Sequence, residues 1–173
     1  PDLQPITLSQ FDLTLDYPVN WADPFYLERR DAVWMRPSRD VAIGRYPSLY
    51  LTRGTPAQLR EREFTDAISD PGAAVENARV VASSGGHRVL GDTAYPVTMV
   101  DHAGLLSHSW AFVIAVAPDD WIFITASVPL GAYDEQFGDA VLLPMVRSMV
   151  IDDIPLAGPA IMSVTPEEPR AQV

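Results

Sequence analysis

Hydrophobic and polar residues alternate near the start of the chain, where Phe11, Leu13, Leu15 and Tyr17 interleave with Asp12, Thr14 and Asp16. A period of two marks a strand with one buried face. Pro18 ends it, and Trp21 follows in a turn. Ala32 to Met35 and Val41 to Ile43 read as short strands around a Pro37-Ser38 turn, and Ser48 to Thr52 extends the region past Pro47.

The period then changes. Gly54-Thr55-Pro56 opens a helix: Thr55 supplies the cap, Pro56 suits the first helical position, and Gln58 completes a T-x-x-Q capping box. Leu59, Phe64, Ala67 and Ile68 make its apolar side, and Asp70-Pro71-Gly72 stops it. Strand patterns return with Val80-Val81 and Arg88 to Leu90, on either side of a Ser83-Ser84-Gly85-Gly86 turn. Tyr95, Val97 and Met99 alternate next, then Trp110, Phe112, Ile114 and Val116, and a last strand runs from Trp121 to Val128.

These last two strands are apolar on both faces, because Ala111, Val113, Ala115 and Ala117 fill the alternate positions. Such strands need a covering layer on each side. A second helix is predicted from Tyr133 to Met149, with Phe137, Val141, Met145 and Met149 spaced by four and Pro144 forcing a kink or a new start. The predicted class is therefore α+β, a three-layer α/β/α sandwich around a central, mainly antiparallel sheet. Residues 1–6 read as an N-terminal extension, 7–152 as a single domain, and 153–173 as a flexible, Pro-rich tail. No internal repeat and no second domain is evident.

Composition narrows the function. The 173 residues suit one domain, and 47% apolar with 20% charged residues is a globular balance. Cysteine is absent, which removes disulfide scaffolds, thiolate zinc sites and cysteine nucleophiles. A net charge of −11 opposes both nucleic acid and anionic membrane surfaces. No stretch approaches the roughly 20 apolar residues that span a bilayer. The chain begins at Pro1 with no initiator Met, which fits removal of an upstream signal or lipoprotein leader.

Candidate chemistry is sparse. None of the common nucleophile-elbow, phosphate-loop, dinucleotide, zinc-protease or EF-hand motifs occurs. His102 and His108 flank a hairpin turn beside Asp101, which invites a metal reading. Keeping the two apolar strand faces together requires an even loop, Ala103 to Leu106, which sets Asp101 opposite His108 and turns His102 away. A cross-strand Asp101–His108 pair is the expectation, and a metal site is not. Asp119-Asp120 and Asp152-Asp153 sit where Asp favours turns, and adjacent carboxylates on extended chain diverge. Trp110 and Trp121 belong to strands and the core. Trp21 and Trp34 are the candidate interaction anchors, Trp21 the stronger because it lies in a loop.

Three sets of residues resemble the PsbP-like family: Phe11-x-Leu13-x-Leu15-x-Tyr17-Pro18-x-x-Trp21, Trp121 to Ser127, and Tyr133-Asp134-x-x-Phe137 with Met145 to Ile151. The likeness runs over residues 7–152. It implies an antiparallel sheet with helices on both faces and a non-enzymatic accessory or binding module, often exported and lipid-anchored in bacteria. Pro144 and the Pro-rich extension depart from the pattern. The expected function is an extracytoplasmic domain that binds another protein, without cofactor or nucleic acid, touching a membrane only through an upstream lipid anchor. A small-ligand or metal-binding module is the alternative, and a hydrolase with a dispersed site is the third reading.

Overall fold

The computed structural model describes residues 2–28, 31–38, 47–63, 87–89, 92–103, 107–129, 138–158 and 165–167. The alternating segments form strands: β1 (Leu3–Leu8), β2 (Leu13–Pro18), β3 (Phe25–Leu27), β4 (Ala32–Met35) and β5 (Ser48–Gly54). Helix α1 (Pro56–Glu63) follows, then β6 (His87–Val89), β7 (Val97–Ala103), β8 (Ser107–Ala117) and β9 (Asp120–Pro129). A π-helical turn (Gly138–Leu142) runs into α2 (Leu143–Arg147), and β10 (Val150–Ile151), β11 (Ile154–Pro155) and β12 (Thr165–Glu167) end the chain. The predicted Val41 to Ile43 and Val80-Val81 strands, the Ser83 to Gly86 turn, the Asp70-Pro71-Gly72 stop and Phe137 lie outside the described residues.

Among the described residues the strands make a six-stranded antiparallel sheet, β3-β4-β5-β9-β8-β7, and a four-stranded one, β1-β2-β10-β11, while β6 pairs with β12. Register aligns Val33, Leu51, Ile124 and Phe112 in one row of the large sheet, and Met35, Leu49, Ala126 and Trp110 in the next. All eight are buried and belong to one core with Leu13, Leu15 and Tyr17 of β2, with Val141, Met145 and Val146, and with Ile151 and Leu156. Each such side chain contributes about 1.5–3 kcal/mol by leaving water. Two antiparallel sheets and the short helical segment from Gly138 to Arg147 share this one core.

The three-layer α/β/α sandwich is therefore corrected, and with it the fold that the PsbP-like resemblance implies. The large sheet shares its core with a second sheet, and two of that sheet's four strands reach into segments that the sequence reading placed outside the domain: most of β1 in the 1–6 extension and β11 in the 153–173 tail. Leu3–Leu8 pairs with β2 from Leu3 opposite Pro18 to Leu8 opposite Leu13. Past Ile151 the chain turns back at once as β11 and buries Leu156. Helix is limited among the described residues to a three-residue 3-10 turn at Ser9–Phe11, the eight-residue α1, the π-helical turn and the five-residue α2.

Within the described part of the predicted second helix, the helix changes type for a local reason. Proline cannot donate to the preceding turn, so α-helix starts afresh at Leu143 with Pro144 in its first positions. Before it, Gly138 lies so close to the Trp110 ring that an added Cβ would sit 2.5 Å from Cη2. The predicted stripe survives in part, as Val141, Met145 and Met149 are all buried.

Candidate functional site

Two neighbouring regions gather the polar and aromatic groups that the core does not use. The first lies where the chain crosses from the small sheet to the large one. Pro18 ends β2, the Trp21 N–H donates to the Pro18 carbonyl, and the Ala22 N–H donates to the Arg36 carbonyl beyond β4. Tyr17 donates its hydroxyl proton to the Ala22 carbonyl and meets the Trp21 ring edge-on, with centroids 5.9 Å apart. Burial, and then the charge of Asp23, push the Tyr17 hydroxyl well above its ordinary pKa of 10.0.

The crossing delivers β3 to the edge of the large sheet, where register sets Phe25 opposite Trp34, and Trp34 opposite Tyr50 on its other side. The Arg36 guanidinium lies 4.4 Å from the Trp34 ring centroid and 5.9 Å from that of Phe25. A cation over such faces is worth about 0.5–1 kcal/mol at an exposed site. Phe25 is 49% exposed and Tyr26 39%, and with Val19 they make three of the four exposed large hydrophobic residues among those described. Tyr26, on the opposite side of β3 from Phe25, stacks on Phe11 with centroids 6.4 Å apart and planes 11° from parallel.

The second region is polar. A groove of about 520 Å³ runs along the small sheet, lined by Thr7, Ser9, Thr14, Asp12, Asp152 and Asp153. Asp12, Asp152 and Asp153 all adopt positive φ (53°, 51° and 65°). Aspartate tolerates that conformation because its short side chain bonds locally, and two such residues in succession suit the tight β10–β11 turn. Beside the groove, Arg53 of β5 grips both strand turns. Its Nε and Nη2 donate to Asp120 at 3.0 and 2.7 Å, Nη2 also reaches Asp152 at 3.0 Å, and Nη1 donates to the Phe11 carbonyl at 2.8 Å. The bonds to Asp120 raise the guanidinium pKa further, burial works against them, and Asp152 adds to the rise. The cation therefore persists at every pH the fold survives.

The residues singled out in the sequence fare unequally. Trp21 and Trp34 do come to the same corner, joined through Arg36, but both are partly buried and neither stands alone as an exposed anchor. Trp21 packs against the main core. The Asp101–His108 pairing is corrected: the hairpin closes one pair later, with Ala103 opposite His108 and Asp101 opposite Trp110. The even-loop argument still holds in its main consequence, since Val97 pairs with Ile114 and Met99 with Phe112. Among the described residues no three His, Asp or Glu side chains are set to hold a metal ion, and no helix is long and apolar enough to cross a membrane.

Sequence reasoning passed over Phe25, Tyr26 and Arg53. The first two carried a signal: adjacent aromatics on one strand face opposite sides, so a three-residue edge strand cannot bury both. Arg53 carried none, because its partners lie 67 and 99 residues away. Comparison of the sequence with protein-family models and with curated proteins finds no match, so the PsbP-like likeness rests on the quoted segments alone.

Proposed function

We propose that this chain is a non-enzymatic accessory domain that binds another protein through the β3–β4 edge. One observation carries the reading: Phe25 stands exposed beside Trp34 and Arg36, with Tyr26 exposed on the other face of the same strand, residue types that dominate binding energy when a partner covers them. Single exposed apolar residues are ordinary, but here one three-residue edge strand exposes an aromatic ring on each face, and the Phe25 face continues into Trp34 and Arg36. An extracytoplasmic location belongs to the same proposal, on the family resemblance, and fractionation of cells making the full-length protein tests it.

Capture from an extract of the source cells tests the binding site. Immobilised wild-type protein is compared with Phe25→Ala, Trp34→Ala and, as a control, Ile154→Ala, which alters an exposed residue on the small sheet. The reading predicts a protein held by the wild type and by Ile154→Ala but lost from both edge variants. Equal retention by all four proteins would rule out the β3–β4 edge.

A further inference from the structure

We propose that Arg53 is a latch between the two sheets that sets the position of the β3 edge. The inference rests on the binding role of that edge for its functional meaning, though not for its test. Arg53 leaves β5 in the large sheet and holds Asp120, which begins β9, with two hydrogen bonds in fork geometry. From there the same guanidinium crosses to the small sheet, to the Asp152 carboxylate in the β10–β11 turn and to the Phe11 carbonyl ahead of β2. One side chain, 13% exposed, thus fixes one turn of the large sheet and two of the small.

The consequence runs through Phe11. Its carbonyl is held by Arg53 while its ring, nearly buried, lies flat against Tyr26. Phe11 closes a three-residue 3-10 turn that has no side-chain cap and ends in the left-handed Asp12. So short a turn has little of its own to hold it: beside the long bonds from the Asp12 N–H to the Ser9 carbonyl and from the Asp152 N–H to the Asp12 carbonyl, the 2.8 Å guanidinium bond and the core contact place the Phe11 ring. β3 in turn has only three residues and, among the described strands, pairs with β4 alone. An element with so few backbone partners takes its position largely from side-chain contacts, and the Phe11–Tyr26 stack links it to the turn that leads into the small sheet's β2. Arg53, Phe11 and Tyr26 therefore form a continuous path from the ion pairs to the exposed edge.

Amide hydrogen exchange tests the latch without any partner. In Arg53→Met the stem is retained and the hydrogen bonds to all three partners, Asp120, Asp152 and Phe11, are lost; the latch predicts that Phe25 to Leu27 exchange about tenfold faster than a uniform loss of stability, read from central β9, accounts for. Phe11→Leu keeps the carbonyl bond and removes the stack, and it should free β3 in the same way. Asp152→Asn, at an exposed position, offers a milder opening if Arg53→Met folds poorly. Exchange that rises equally in β3 and β9, or not at all in β3, would overturn the latch. Loss of the latch in this experiment with binding still abolished by Phe25→Ala would leave the interface standing; the reverse pattern would leave the latch standing.

Discussion

Gly138 shows how closely single residues are fitted here. A Cβ at this position would meet three carbons of the Trp110 indole at 3.1 Å or less, and Trp110 is fully buried beneath this turn. Gly138→Ala should destabilise by about 1–3 kcal/mol in denaturant melts, the usual penalty for overpacking. Tyr17 gives a pH signature. Its hydroxyl titrates higher in the folded chain than in the unfolded one, so the folded state holds its proton more tightly. That contribution is complete below the ordinary value of 10.0 and is lost as pH rises through and beyond it. Stability should fall above about pH 10, and Tyr17→Phe should flatten the fall at a constant cost of about 0.5–1.5 kcal/mol for the lost hydrogen bond. Ser148 is a third case, accepting from the Asp16 N–H at 2.8 Å and donating to the Met145 carbonyl at 2.7 Å. Ser148→Ala leaves that N–H unpaired and should cost about 1–3 kcal/mol. None of these three roles was legible in the sequence, because each is defined by a partner brought in by tertiary packing.

Elements were more legible than their surroundings. The alternation of Leu13, Leu15 and Tyr17 was enough to place β2, and the Ala32 to Met35 strand stands where the pattern put it. The capping box is present atom for atom: the Thr55 N–H donates to Gln58 Oε1 at 2.9 Å, and the Gln58 N–H donates to Thr55 Oγ1 at 3.1 Å. Leu59 of this helix covers Trp121 and Phe123 on the outer side of the large sheet, so the cap anchors that cover. Thr55→Ala should lower stability by about 1 kcal/mol, with Thr55→Ser recovering most of it. Illegible were the elements with weak patterns. β1 carries Pro5 and exposes much of its length, and β11 is two residues long with Pro155. Proline is tolerated on edge strands because no ladder partner is waiting there. Those same prolines blunt the small sheet against strand addition, which favours recognition through side chains at β3 over pairing of backbones.

At the scale of the molecule, two short outer strands decide the architecture. Reading residues 1–6 and 153–173 as extension and tail took most of β1 and all of β11 out of the small sheet, and the apolar faces of β8 and β9 were then assigned helices as their cover. The net charge of −11 adds a long-range field that steers encounter more than it fixes affinity. In the proposed reading the contacts that set affinity lie in the aromatic edge, and the proposed Arg53 latch ties that edge to the small sheet.

The claim that this edge is the binding site is tested most directly by calorimetric titration of the captured partner into wild-type protein, Phe25→Ala and Trp34→Ala. The account predicts a negative heat-capacity change for the wild type and a loss of affinity of about tenfold or more in each variant, with folding intact. Affinities and heat-capacity changes that match the wild type in both variants would contradict it.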